Sequence, residues 1–183
     1  MEQGVGLYGK SVMKSSLVVP HQLWLHVLET LRQRSAGQRE SAGILIGTAS
    51  PNGVHIAVDA IFHHHLADDC ATALSLELPE HAKFKMYADL AERRFSPVSL
   101  IHTHPEAWVD LSAVDQSNRI SSTIGFWSIV VPYYGSPPWD LDGIGFHVLE
   151  DAGWRRLTIE ERHVHFRLEE QPWHGGKTVS VMA

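Results

Sequence analysis

Apolar residues fall into short blocks whose period changes along the chain. "SLVVP", residues 16–20, reads as a short strand, and "HQLWLHVLETLRQRS" then places Leu23, Leu25, Val27, Leu28 and Leu31 mostly three and four apart, behind a Pro20 that suits helix entry. "ESAGILIGTA" and "GVHIAVDAIFH", joined by the turn-forming "SPNG", predict a β-hairpin. Helical spacing returns in "ELPEHAKFKMYADLAERRF" through Phe84, Tyr87, Leu90 and Ala91, and Pro97 separates that helix from the strand "VSLIHTH". From Ser112 the pattern predicts a helix of about ten residues ending near Gly125, then a buried strand in "FWSIVVPYY". "IGFHVLE" and "WRRLTIEE" predict a second hairpin around "DAG", and "RHVHFRLEE" a last strand or helix. No internal repeat interrupts this order.

The 183 residues suit one domain, read as residues 16–170, with a loosely ordered N-terminus over 1–15 and a flexible tail over 171–183. The hydrophobic content of 44% and six tryptophans are those of a folded chain with a sizeable core. A net charge of −6 argues against a nucleic-acid-binding surface, and the pairs Arg93-Arg94 and Arg155-Arg156 read as solvated element ends. Cys70 is the single cysteine, so an internal disulfide is impossible and a four-cysteine zinc ribbon is excluded, in keeping with a reducing cytoplasm. No apolar run reaches the roughly 18 residues of a spanning helix, and the N-terminus has no continuous signal-like core, so a cytoplasmic protein away from membranes is expected.

Candidate chemistry is concentrated in "HTHPEAWVDLSAVD", residues 102–115. On a strand, His102 and His104 share one face because side chains alternate, so both imidazoles can reach one ion. A hydrolytic zinc site commonly takes three protein ligands, and Asp115, in the first turn of the helix starting at Ser112, is the natural third. The same "SAVD" also reads as a capping box.

Taken together, these residues resemble the JAB/MPN family of zinc metalloproteases, whose JAMM signature is a distant glutamate, then His-(Ser/Thr)-His-Pro, then serine and, three positions on, aspartate. The chain has His102-Thr103-His104-Pro105 and Ser112-Ala113-Val114-Asp115, separated by seven residues, and Glu40 at the head of "ESAGILIG" occupies the glutamate position. The signature region is 40–115. The resemblance implies an α/β, deaminase-like fold with a curved mixed β-sheet flanked by helices, and one Zn2+ ion held by His102, His104 and Asp115. It also implies Glu40 as general base and acid, and Ser112 as hydrogen-bond donor to the oxyanion.

Stand-alone bacterial members that resemble this chain accompany activating-like and conjugating-like enzymes in antiphage operons. The resemblance therefore implies a deubiquitinase-like isopeptidase that processes or deconjugates a ubiquitin-like protein after its C-terminal glycine. Two alternatives stay open: a peptidase acting on a sulfur-carrier protein, and a non-catalytic MPN binding scaffold. A nucleoside deaminase is disfavoured because its Pro-Cys-x-x-Cys element cannot exist with one cysteine. Of the remaining motifs, "FHHHL" at 62–66 reads as a strand end with side chains on opposite faces, and His81, His147, His163, His165 and His174 as satisfied or solvent-facing. Cys70 reads as incidental, with a contact to the metal as the alternative. Tyr133, Tyr134 and Trp139 read as a packed loop, with a peptide groove as the alternative. Gly175-Gly176 reads as part of the tail.

Overall fold

The computed structural model describes residues 15–66 and 78–174. β1 (Ser16–Pro20) runs directly into α1 (His21–Ser35), which ends where Ala36 turns left-handed and returns its N–H to the Arg32 carbonyl. β2 (Ala42–Ala49) and β3 (Val54–Phe62) form the first hairpin, and α2 (Glu80–Glu92) precedes β4 (Ser96–Thr103). The short α3 (Ala113–Ser117) leads to β5 (Trp127–Val131), and β6 (Gly145–Glu150) pairs with β7 (Gly153–Arg156) as the second hairpin. The last segment, expected as a strand or a helix, holds both: β8 (Phe166–Glu169) follows α4 (Ile159–His165), which begins at residues that the sequence pattern places in the second hairpin, because Thr158 caps a helix there.

All eight strands join one sheet in the order β7-β6-β5-β4-β2-β3-β1-β8. The β1/β3, β1/β8 and β4/β5 pairs are parallel and the other four antiparallel, so the fold is the expected α/β type, a mixed sheet flanked by helices. Alternation divides the core between the two sheet faces. Leu45, Ile101, Trp127, Ile129 and Phe146 pack with Leu23, Trp24, Val27, Leu28 and Leu31 of α1. Ile44, Ile46 and Ile61 pack on the opposite face with Met86 and Leu90 of α2, joined by Ile120 and Phe126.

Several positions differ from the sequence reading. Trp24, not Leu25, completes the buried stripe of α1, because Trp24, Leu28 and Leu31 recur at i, i+4 and i+7, whereas Leu25 falls off that line and is 42% exposed. In α2 the buried line is Ala82, Met86 and Leu90, leaving Phe84 77% exposed. The helix after Ser112 has five residues rather than about ten, ending at Asn118 so that Ile120 can drop into the α2-side core. β5 stops at Val131, since Pro132 precedes two left-handed residues, Tyr133 and Tyr134. Pro97 lies within β4 and not before it; there the β2/β4 register shifts and Val98 is left as the extra residue. His63–His65 form a 3-10 turn, so the three rings do not alternate.

A second register shift lies between Ile46 and Gly47, where the chain approaches β3 very closely. A Cβ at Gly47 would lie 1.9 Å from the Ile56 carbonyl oxygen, a backbone atom that cannot rotate aside. Gly47→Ala is therefore expected to destabilise the protein by about 3 kcal/mol or more, measured by denaturant unfolding followed by far-UV circular dichroism. A loss under about 1 kcal/mol would contradict this close approach.

Cys70, the first 14 residues and the Gly175-Gly176 tail lie outside the described residues. Ser15 is described and buried; its hydroxyl donates to the Gly125 carbonyl and accepts the indole N–H of Trp127, both at 2.8 Å.

Candidate metal centre

β4 carries the histidines to a strand end that pairs on both sides. On one side Ala42 is opposite His102, the Thr103 N–H donates to Ser41 O at 3.0 Å, and the Ser41 N–H donates to the Thr103 hydroxyl at 3.0 Å. On the other, the His104 N–H donates to Val131 O at 2.9 Å, so the extended backbone continues past Thr103. Period-two alternation then puts both imidazoles on one face. Their Nε2 atoms lie 3.2 Å apart, and both residues are buried.

Asp115 closes the group from α3. Its Oδ1 lies 3.4 Å from His102 Nε2 and its Oδ2 3.4 Å from His104 Nε2. The capping box is present as well: the Asp115 N–H donates to Ser112 Oγ at 3.1 Å, and the Ser112 N–H donates to Asp115 Oδ2 at 2.7 Å. The two readings of "SAVD" are thus one structure, in which the cap holds the carboxylate towards the imidazoles. Burial pushes the Asp115 carboxyl up, but the contacts from His102 and His104 outweigh it and hold it well below the usual carboxylate range.

This buried group could bind a metal ion. One donor atom from each of the three residues lies within 4.8 Å of the others, and the 3.2 Å between the two Nε2 atoms is that of imidazoles sharing one ion at about 2.0–2.1 Å. The second nitrogen of His104 is also engaged: Nδ1 lies 3.0 Å from the Trp108 carbonyl and donates there, so Nε2, which faces Asp115, is the nitrogen that would be offered to an ion on losing its proton. Nδ1 of His102 is buried with no partner among the described residues.

Glu40 lies just before β2. Continuing the pairing of Ala42 with His102 and Ser41 with Thr103 brings Glu40 opposite His104, across a cleft of about 250 Å³ lined by Glu40, His104, Pro105, Glu106, Trp108 and Ser112. Glu40 is 4% exposed, and its carboxyl is pushed up to about 7. Desolvation is the main cause; the nearby His104 opposes it and the Asp115 carboxylate adds to it. All five residues singled out in the sequence therefore meet around one cleft and its floor, with Glu40 outside the three-residue ligand group.

Sequence reasoning missed Trp108. Its indole stacks on the His104 ring with centroids 5.2 Å apart and planes inclined by 16°, while half its surface stays exposed. A signal existed, since a tryptophan between the histidine pair and the serine is an expensive side chain to leave in a surface loop. The segment carrying it is anchored by Val109 and Leu111, buried against Val130, and by an ion pair of 2.8 Å between Asp110 and Arg156. The N–H groups of Tyr133 and Tyr134 donate to Glu106 O and His104 O, at 3.3 and 2.7 Å, tying the end of β5 to the same segment.

The other histidines divide between core and surface. His63 is buried, its Nδ1 3.0 Å from the Ala42 nitrogen and 2.9 Å from the Ala42 oxygen, and so secures the start of β2 beside His102. His147 is buried; Nδ1 lies 3.3 Å from Ser128 O, Nε2 lies 3.8 Å from Asp110 Oδ1 with no hydrogen-bond partner among the described residues, and burial pulls the imidazole down to about 4. His81, His163 and His174 are exposed, and His165 lies 3.2 Å from the Ser16 hydroxyl. Trp139 belongs to the packed-loop reading, its N–H donating to Gly135 O at 2.7 Å, while Tyr133 remains exposed. Arg155 pairs with Glu150 and Glu161. Among the described residues no helix is long and apolar enough to cross a membrane.

No family model matches the chain, and no curated protein matches it. Among solved structures, it is similar to the solution structure of protein DSY2949 from Desulfitobacterium hafniense, with a TM-score of 0.61 and 12% identity over 85% of this chain and 94% of that one. It is also similar to a protein from Salinibacter ruber, with a TM-score of 0.51 and 15% identity over 77% of this chain and 88% of that one. AF2198, a JAB1/MPN domain protein from Archaeoglobus fulgidus, matches with a TM-score of 0.40 and 15% identity over 79% of this chain and 94% of that one. At these identities the first two likenesses are of fold alone.

Proposed function

We propose that this protein is a zinc-dependent peptidase or isopeptidase of the JAB/MPN type, which cleaves after the C-terminal glycine of a bacterial ubiquitin-like protein within an antiphage conjugation system. The observation that carries the reading is the convergence of His102, His104 and Asp115 on one point, with Glu40 and Ser112 on the adjoining cleft. The residues that resemble the JAMM signature in the sequence supply the rest of its support.

Amide hydrolysis needs a stronger nucleophile than water, a proton for the departing amine and a partner for the oxyanion. Zinc held by His102, His104 and Asp115 would supply Lewis acidity, polarising a carbonyl and bringing the pKa of water towards about 7. Glu40 would take the proton from the attacking water and hand it to the amine, a role that needs a carboxylate within reach of the water and outside the ligand group. Ser112 accepts the Asp115 N–H through Oγ, which leaves its own hydroxyl proton free to donate to the oxyanion. Trp108, through its carbonyl, would keep His104 in the ligating tautomer.

Fusions of a ubiquitin-like tail ending in Gly-Gly to a reporter, incubated with zinc-loaded protein and followed by intact mass, test the proposal. A cut directly after the terminal glycine, abolished by chelation and restored by zinc, is the expected result. Failure to cut any fusion encoded beside conjugating-like genes, by protein shown to hold one zinc, would overturn it. Ser112→Ala is expected to lower turnover about 10²–10³-fold and, through loss of the cap, to cost about 1 kcal/mol of stability. Metal content should not change, because the Ser112 backbone N–H that holds Asp115 Oδ2 is retained, so a kinetic assay, a thermal melt and elemental analysis on one preparation separate the two effects.

A further inference from the structure

The rim of the cleft carries a feature that the hydrolytic chemistry leaves unused. Glu106 and Trp108 line it together with the reacting groups, both are exposed, and they come from one anchored segment two residues apart. Glu106 has no ion pair or side-chain hydrogen bond among the described residues, although the chain has arginines enough to have paired it. The neighbouring acid shows the contrast, since Asp110 is engaged by Arg156 at 2.8 Å. One face of the Trp108 indole covers His104 and half its surface remains open.

An unpaired carboxylate and a half-exposed indole lining the same cleft can together receive a planar cation. A guanidinium can stack on the ring through its π-face and donate to a carboxylate through its edge, whereas an ammonium has no plane to stack. The Trp108 ring is already oriented by its stack on His104 and by the Val109 and Leu111 anchors, so little side-chain freedom is lost on binding. We propose that Glu106 and Trp108 form a subsite that selects substrates bearing an arginine close to the cleaved bond. The subsite deepens the peptidase reading and rests on it for the identity of the substrate as an extended peptide.

Binding can be measured without turnover, on the full chain carrying Glu40→Gln and on the chelated wild type. Hexapeptide amides ending in Gly-Gly, with one arginine placed in turn at each of the four preceding positions, are compared by calorimetry with peptides carrying alanine, lysine or glutamate there. The expected result is one position at which arginine binds about five- to tenfold tighter than alanine, lysine gains less, and glutamate binds more weakly than alanine. Adding Glu106→Gln should shrink the difference between arginine and glutamate to what the indole stack alone supplies, and adding Trp108→Ala should remove the difference between arginine and lysine, with thermal melts confirming that both variants fold. No binding of any arginine peptide, equal binding of arginine and alanine at every position, or an arginine preference undiminished by Glu106→Gln would overturn the subsite. Arginine-selective binding with no cleavage by the zinc-loaded wild type would leave the subsite standing and remove the peptidase reading, so the two failures are distinct.

Discussion

Glu40→Gln is expected to lower turnover by about 10²–10⁴-fold while leaving metal binding intact. The side chain keeps its shape and loses only its capacity to exchange a proton. It stands outside the ligand group of His102, His104 and Asp115, so nothing that would hold the ion is removed. The measurement pairs steady-state cleavage of the tail fusion with elemental analysis of the same protein. Zinc loss equal to that of a ligand variant would show Glu40 to be a ligand, and unchanged turnover would remove it from the chemistry.

The same substitution has a second, opposite consequence in the metal-free protein. Burial raises the folded-state carboxyl from 4.5 to about 7, so the native chain binds more protons than the unfolded chain between those values. Stability therefore declines as pH rises through that window, and above pH 7 the buried carboxylate costs on the order of 3 kcal/mol. Glu40→Gln carries no such charge. In chelator-treated samples the glutamine variant should be the more stable protein at pH 8, and the advantage should vanish near pH 4. A stability gain at high pH joined to a loss of turnover is the signature of a residue retained for chemistry at the expense of the fold.

How much of this was legible in the chain depends on the range of the interaction. The shared face of His102 and His104 follows from period two alone, and the cap at Ser112 from a three-residue spacing. The meeting of Glu40 with His104 does not, because it depends on the β2/β4 register across some sixty residues, and that register contains a bulge at Val98 that no local pattern announces. The resemblance to a family signature supplied Glu40 where spacing could not. Trp108 escaped for a different reason: its residue type was a signal, but its carbonyl contact to His104 is a main-chain one that leaves no mark on residue type, and its stack on His104 depends on the fold of the loop.

The misread elements have equally local causes. Helical periodicity cannot tell whether Trp24 or Leu25 faces the sheet until the sheet's position is known, and the larger ring takes the core. The pattern extends the helix from Ser112 to near Gly125, yet α3 stops at Ser117, and the chain beyond it brings Ile120 to Met86 and Leu90. Three successive histidines suggested alternation on a strand, whereas the chain turns at His63 so that its ring can secure Ala42.

His104→Ala is expected to abolish both metal binding and turnover, and its decisive readout is stability. A ligand that binds only the folded state stabilises it according to its concentration over its Kd, by about 4 kcal/mol at a thousandfold excess. The wild-type melting temperature should therefore rise with added zinc and fall on chelation, independently of any substrate. In His104→Ala one of three inward donors is gone, so the weakening should exceed the 10–100-fold that loss of an outer-shell partner costs. Its melting temperature should then be insensitive to micromolar zinc. Metal-free His104→Ala should also lie below metal-free wild type, because Asp115 keeps its buried carboxylate while losing one of the imidazoles that hold it ionised. A zinc-dependent rise in melting temperature that persists undiminished in His104→Ala would place the ion elsewhere on the chain and leave His102, His104 and Asp115 as a hydrogen-bonded cluster at a strand end. Abolition of the rise in that variant, with its retention in Glu40→Gln, would place His104 among the groups that hold the ion and Glu40 beside them.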